Sequence, residues 1–259
     1  TTYSISLQKD LADDVMVYTS YATGFKSGGF NSTGGDDSYP REYKDEESEN
    51  FEVGIKSRIN DGKTQVNATV FNMETDGLQG VLQVPSGTGT AVYNSTIPAK
   101  RLGLDLNVIH KFSQNLVMNL GYMKLDDDDA DISTHAAIRL TPKMAYNIGL
   151  SHFMPLGNGK VHTRIDYSYD DEMEVTANYS TSPAMATLPT SYKEMKDREN
   201  LNAKIAWSND QWEVAYWIKN GTDQVFERLV TSPSPVAGGN FAVFMMKPKT
   251  QGLSVKYNF

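Results

Sequence analysis

The chain has 259 residues, 39% of them hydrophobic and none of them cysteine, which excludes disulfide frameworks, thiolate metal sites and cysteine nucleophiles. Its 24 Lys+Arg against 32 Asp+Glu leave a net charge of −8, an argument against nucleic acid as a partner because phosphate binding needs a basic surface. No stretch approaches the roughly 18 consecutive apolar residues of a membrane-spanning helix; strands that face lipid and water alternately pass that test, because their average composition stays polar.

From the N-terminus, weak alternation over residues 2–9 and 15–23 predicts two strands joined by an Asp-rich turn at Asp10 to Asp14. Phe51, Val53 and Ile55 opposite Glu52, Gly54 and Lys56 give a third, and residues 64–75 a fourth, after a turn at Asn60 to Lys63. Leu102, Leu104, Leu106 and Val108 then oppose Gly103, Asp105 and Asn107. Leu116, Met118, Leu120 and Tyr122 oppose Asn119 and Gly121, and Met144, Tyr146, Ile148 and Leu150 oppose Asn147 and Gly149. In Lys160 to Tyr169 the split is cleaner: Val161, Thr163, Ile165, Tyr167 and Tyr169 share one face, and His162, Arg164, Asp166 and Ser168 the other. Residues 199–207 and 211–219 are weaker, and Gly252 to Phe259 closes the chain with large apolar side chains at every second position. The sum is about eleven strands of roughly 8 to 11 residues, with no convincing helix.

The connections sort by length. Turns at 10–14, 60–63, 110–115, 155–159 and 208–210 are short and rich in Asp, Asn and Gly, as hairpin turns should be, while those near 24–48, 80–92, 125–141, 170–198 and 220–242 are long. Short and long alternate throughout, so in a meander all short turns lie at one end of the sheet, as in outer-membrane barrels. A soluble β-sandwich also alternates, but its strands average about 5 to 6 residues, whereas a tilted bilayer crossing takes about 9 to 11. Aromatic residues near strand ends, Tyr18 with Tyr21, Tyr167 with Tyr169, Trp207 with Trp212 and Tyr257 with Phe259, suit an interfacial girdle.

The face opposite the apolar one carries Glu52, Lys56, Asp105, Asn107, His162, Arg164, Asp166, Glu213, Lys219 and Lys256, a mixed wall suited to a wide, wet lumen. A closed antiparallel barrel from a bacterial chain normally has an even strand number. The odd count therefore predicts a C-terminal fragment with further strands upstream.

Val17 to Asn31, reading VYTSYATGFKSGGFN, resembles a segment of TonB-dependent outer-membrane receptors. Glu47 to Ser57 resembles a later strand of that family. Lys219-Asn220-Gly221-Thr222-Asp223 is similar to the element before the last loop, with Gly221 in place of the usual leucine, and Lys247 to Leu253 is similar to the lead into the closing strand, with Lys249 in place of arginine. The matches follow family order over nearly the whole chain. The resemblance implies a 22-stranded, plugged transmembrane barrel, all-β and up-and-down, of which residues 1–259 supply about the last eleven strands without the N-terminal plug. It implies an outer-membrane receptor for TonB-dependent uptake of a scarce ligand, most often a ferric siderophore, without enzymatic chemistry and without a cofactor. Implied partners are outer-membrane lipid, the TonB complex through the plug, the iron-siderophore ligand and the barrel-assembly machinery, which would read a terminal signal in Val255, Tyr257 and Phe259.

Among candidate binding residues, Phe30, Tyr39, Arg41, Tyr43, Tyr93, Arg139, Tyr179 and Tyr192 fall on the expected loops and suit stacking on, or pairing with, an anionic iron chelate. Other constellations read as ordinary surface. Asp126 to Asp131 lacks the spaced ligands and turn glycine of a calcium loop, and His110, His135, His152 and His162 have no metal-ligand spacing. Gly24 to Gly29 precedes no helix, unlike a phosphate loop. His162 with Asp166 suggests acid–base chemistry only if the chain is a smaller self-contained barrel, a passive channel or a membrane-embedded hydrolase; no nucleophile motif accompanies them.

Overall fold

The computed structural model describes residues 1–32, 41–86, 89–127, 141–174, 194–230 and 243–259. Eleven strands build the main sheet: β1 (Ser4–Ala12), β2 (Val15–Lys26), β5 (Glu46–Ile59), β6 (Thr64–Ser86), β7 (Gly89–Lys111), β8 (Leu116–Asp127), β9 (Met144–Leu156), β10 (Gly159–Asp170), β13 (Arg198–Ser208), β14 (Trp212–Lys219) and β17 (Thr250–Tyr257). Three small antiparallel pairs decorate the long connections: β3 (Gly29–Phe30) with β4 (Glu42–Tyr43), β11 (Met173–Glu174) with β12 (Glu194–Met195), and β15 (Glu227–Val230) with β16 (Val243–Met245). The eleven strands pair in chain order, all antiparallel, from β1 at one edge to β17 at the other. This is the predicted meander, and each predicted strand is present.

The short turns have local causes. Asn60, Asp61 and Gly62 adopt left-handed φ of 56°, 53° and 75° between β5 and β6, a conformation that Asn, Asp and Gly tolerate best. Gly157, at φ 61°, turns β9 into β10. Between β6 and β7 the structure departs from expectation. Where a long loop was predicted near 80–92, the two strands stay paired as far as Ser86 with Gly89. Val81, Val84, Thr90 and Val92 give this stretch enough β-branched character to carry a ladder beyond the neighbouring strands. Gly77, at φ 68°, marks the register shift between Thr75 and Leu78 where the ribbon leaves the sheet.

Pairing fixes the faces. Phe51, Val53 and Ile55 lie beside Tyr21, Thr19 and Val17 of β2, and Leu253, Val255 and Tyr257 beside Tyr216, Val214 and Trp212 of β14. Among the described residues this apolar face has no second layer over it: Leu7 is 67% exposed, Val255 65% and Leu253 77%. Among the described residues the buried apolar set is only Ala99, Leu125, Val161, Met173, Ala206 and Ala215. The accessible surface is 16300 Å², against roughly 11000 Å² for a compact monomer of this mass. A sandwich would cover its apolar faces mutually; this sheet leaves them for an external apolar phase.

On the other face, large rings lie over glycines of the next strand. Tyr18 crosses Gly54 so that its hydroxyl lies 2.8 Å from Thr69 Oγ1, which moves Tyr18 from the expected outer girdle to the polar wall. Phe71 lies over Gly103 and Trp217 over Gly252, where a Cβ would sit 2.7 Å from the indole. The glycines thus make room for rings on a wall read from sequence as merely polar.

Gly103→Val and Gly252→Val are expected to lower the urea midpoint of the micelle-refolded protein, each costing about 1–3 kcal/mol through overpacking against Phe71 and Trp217. Unchanged midpoints would show that the rings do not demand glycine.

Candidate functional site

The polar face is a hydrogen-bonded surface with ion pairs of both signs. Asn50 donates to Glu52 Oε1 at 2.8 Å, and Lys56 stands 5.4 Å from the Tyr18 ring centroid. Asn107 donates to Asp105 Oδ1 at 2.6 Å. Arg164 donates from Nε to Asp166 Oδ2 at 2.9 Å and from Nη1 to Ser151 Oγ at 3.0 Å. Lys204 Nζ lies 2.8 Å from Glu213 Oε1, and Arg198 pairs with Asp170 at 2.8 Å. All six predicted wall residues, Glu52, Lys56, Asp105, His162, Arg164 and Asp166, therefore share the polar face by register. His162 stacks on Phe153 with ring centroids 4.3 Å apart, while Asp166 is taken by Arg164. The two do not form a hydrogen-bonded acid–base pair.

Between β10, β13, β14 and β17 this face holds a groove of about 1120 Å³. Its floor includes Arg164, Lys204, Asn202 and Trp217; Lys219 and the segment Met245 to Pro248 close its loop-side end. Lys219 Nζ is 5.6 Å from the Trp217 ring centroid.

The loop bases are tied down by long-range hydrogen bonds, and two of these ties fall on the family-like segments. Asn220 and Asp223 adopt left-handed φ of 50° and 55°. From there Asn220 Nδ2 donates to the carbonyls of Gln224 at 2.8 Å and Lys247 at 3.2 Å, its backbone N–H donates to Asn202 Oδ1 at 3.1 Å, and Asp223 Oδ1 accepts from the Lys249 N–H at 3.1 Å. Asn220 thus joins β13, the end of β14 and the strand leading to β17. At the base of the β2–β5 connection, Gln79 Nε2 donates to the carbonyls of Ser27 at 3.0 Å and Lys44 at 3.1 Å, and the Gln79 N–H donates to Glu46 Oε2 at 2.9 Å. Gly28 passes so close to the Tyr43–Asp45 backbone that a Cβ would lie 2.5 Å from the Tyr43 carbonyl oxygen.

Of the predicted loop residues, Phe30, Arg41 and Tyr43 meet in the small β3–β4 pair and its flank: Phe30 is exposed, Tyr43 packs over Gly29, and the Arg41 carbonyl accepts from the Asn31 N–H at 2.6 Å. Tyr93 stands in β7 opposite Leu82, on the paired ribbon instead of a loop. Tyr39, Arg139, Tyr179 and Tyr192 lie outside the described residues, as does most of the acidic run from Asp126 to Asp131. Val255, Tyr257 and Phe259 follow the apolar side of the edge strand, with Tyr257 4.6 Å from Trp212 and 5.1 Å from Phe259 between ring centroids. Among the described residues no cluster of three or more His, Asp or Glu side chains is arranged to hold a metal. The groove itself escaped the sequence reading. Lys219 was visible there as a polar-face cation, whereas Lys247 lines the groove from the connection before β17, outside any strand whose parity could be read.

One antiparallel meander, with an uncovered apolar face, a polar opposite face, and short turns at one end against long connections at the other, defines a wall of the transmembrane β-barrel class. A model of the TonB dependent receptor-like β-barrel matches residues 1–220, and the chain belongs to this family of receptors. Solved structures with the same fold include the ferric yersiniabactin uptake receptor FyuA from Yersinia pestis (TM-score 0.73, 14% identity, 99% of this chain and 37% of that one). The ferric-catecholate import receptor Fiu from K12 E. coli is similar at TM-score 0.71 and 14% identity, over 99% of this chain and 34% of its own. The siderophore receptor PiuA from Acinetobacter baumannii follows at TM-score 0.69 and 17% identity, over 99% of this chain and 35% of its own. The chain thus spans about a third of the length of these receptors.

Asn220→Ala is expected to cost about 1–3 kcal/mol, because it strands buried carbonyls and places alanine at a positive φ. It should also speed tryptic cleavage after Lys249 several-fold, while Asn220→Gly, free of backbone strain, should keep the faster cleavage with less loss of stability. Unaltered cleavage in both variants would mean that the tie does not hold the segment.

Proposed function

We propose that this chain is the C-terminal part of the barrel of a bacterial outer-membrane receptor that imports a ferric siderophore by TonB-dependent gated passage. The observation that carries the reading is the likeness of the eleven-stranded wall, over 99% of the chain, to receptors named for ferric yersiniabactin uptake, for ferric-catecholate import and as a siderophore receptor. The unpaired outer edges of β1 and β17 support a wall completed by further strands, to 22 in all, around a plug that couples to TonB. On this reading the apolar face meets outer-membrane lipid, and Glu52, Lys56, Asp105, His162, Arg164 and Asp166 line the lumen. Phe30, Arg41 and Tyr43, with Tyr39, Tyr93, Arg139, Tyr179 and Tyr192, belong to the ligand-capturing end. Val255, Tyr257 and Phe259 present alternate apolar side chains on an open strand edge, a form suited to capture by the barrel-assembly machinery through strand addition. Function here is binding and passage; no bond of the ligand is broken by this chain.

The test is uptake of ⁵⁵Fe by iron-starved cells carrying or lacking the full-length gene. The expected result is siderophore-dependent accumulation that disappears on deletion of the receptor and also on deletion of TonB. Accumulation that persists without TonB would contradict energised uptake and favour a passive channel.

A further inference from the structure

The β6–β7 ribbon stands clear of the sheet that carries it. Strand β5 pairs with β6 as far as Asp76 and β8 with β7 as far as Arg101, yet β6 and β7 continue together through nine further pairs, from Leu78 with Ile97 to Ser86 with Gly89. At about 3.3 Å per residue the ribbon rises roughly 30 Å past its neighbours. At its root two residues, Asp76 and Gly77, oppose the single Pro98, between the pairs Thr75–Ala99 and Leu78–Ile97. A bulge of this kind interrupts the ladder. Gly77 sits in it at φ 68°, and Pro98 has no N–H with which to bond a neighbouring strand. The ladder is therefore continuous above and below this joint and weakest at it.

What holds the ribbon to the rim is concentrated just above the joint. Gln79 Nε2 donates to the carbonyls of Ser27 at 3.0 Å and Lys44 at 3.1 Å, near the two ends of the β2–β5 connection. The Gln79 backbone N–H donates to Glu46 Oε2 at 2.9 Å. Strand β4, within that connection, approaches β7, and Leu78 and Ile97 pack on buried Ala99 at the root. Leu78 to Ile97 contains no Asp, Glu, Lys or Arg, so no ion pair adds to this hold along the ribbon. Neutral hydrogen bonds have a small net strength, because water replaces them when they part. They can open and reform while the sheet below stays folded.

We propose that the ribbon is an arm hinged at Asp76, Gly77 and Pro98 and caught at the rim by Gln79, and that movement of the β2–β5 connection releases it. The catch senses that connection because its two carbonyl acceptors, on Ser27 and Lys44, belong to segments that cross at Gly28. There a Cβ would stand 2.5 Å from the Tyr43 carbonyl oxygen, so the crossing has no slack. A shift of one segment against the other separates the two carbonyls, and the single Gln79 amide no longer reaches both. With the catch open, the bulge absorbs the change of direction and the ladder above it moves as one piece. The connection that carries Phe30, Arg41 and Tyr43 thereby sets the position of a second element, whichever ligand the receptor takes up.

The experiment measures distances between paired nitroxides by pulsed electron–electron double resonance in the full-length receptor in lipid vesicles, with any cysteine outside these 259 residues replaced. One pair, Thr90→Cys with Ile165→Cys, reports the ribbon against the wall; the other, Thr90→Cys with Thr96→Cys, reports the ribbon's own shape. Each pair is placed in the otherwise native receptor, in Gln79→Ala, in Gly28→Ala, which wedges the crossing, and in Tyr43→Ala, which removes the ring packed over Gly29. The expected result is a narrow ribbon-to-wall distribution that widens about twofold or more in Gln79→Ala and in at least one of the other two, with the distribution inside the ribbon unchanged. A narrow distribution in Gln79→Ala overturns the arm, since the joint is then stiff. A distribution already wide with Gln79 present overturns the catch. Widening inside the ribbon shows that it unravels instead of swinging, and defeats the hinge. Widening in Gln79→Ala alone, with Gly28→Ala and Tyr43→Ala both narrow, overturns control by the β2–β5 connection.

Discussion

The structure depends on one constraint: a single-layer sheet whose apolar face is covered by none of the described residues. In hydrocarbon each unpaired backbone N–H or C=O is costly, so a spanning segment must satisfy its own polar groups. Here the antiparallel ladder does so strand by strand, from β1 to β17. The side chains then only have to sort by face. Period two does the sorting, with Leu253, Val255 and Tyr257 on one side of β17 and Gly252, Ser254 and Lys256 on the other. That sorting underlies the proposed function, since one face is left for an apolar phase and its opposite gathers the polar groups.

Much of this was legible in the residues. β10 and β17 alternate so regularly that their faces could be assigned without coordinates, and Asn60-Asp61-Gly62 announces its turn by residue type. The errors have a common origin in pairing across strands. Tyr18, read as an interfacial aromatic, belongs to the polar wall because Gly54 on the adjacent strand leaves a hollow for its ring. Trp217 does the same over Gly252. A period-two reading assigns faces within one strand and is blind to a glycine some 35 positions away. The β6–β7 ribbon was missed for a related reason: its Gly-, Ser- and Thr-rich tip reads as loop, whereas the ladder below it continues by partnership.

The candidate site was legible in outline only. The cations and carboxylates of the wall follow from strand parity, but the groove forms where β14 and the returning strand meet beneath a segment tied by Asn220. Two of the segments that resemble the receptor family, Val17 to Asn31 and Lys219 to Asp223, turn out to include such ties. Gly28 allows a backbone crossing, while Asn220 and Asp223 combine a left-handed backbone with side-chain bonds that reach across the sheet. Their residue types answer to geometry at loop bases, where long connections leave the sheet. Four of the eight predicted loop residues lie beyond the described positions, so the site is built here from its wall upward.

The face assignment can be read directly by attaching a nitroxide to single cysteines placed along β10 in the full-length receptor, with any cysteine outside these 259 residues replaced, reconstituted in lipid vesicles; the 259 residues themselves contain no cysteine. Collision with lipid-soluble oxygen should be high at Thr163, Ile165 and Tyr167 and low at His162, Arg164, Asp166 and Ser168. A profile without that period, or with the two sets exchanged, would contradict the membrane-spanning wall on which the account is built.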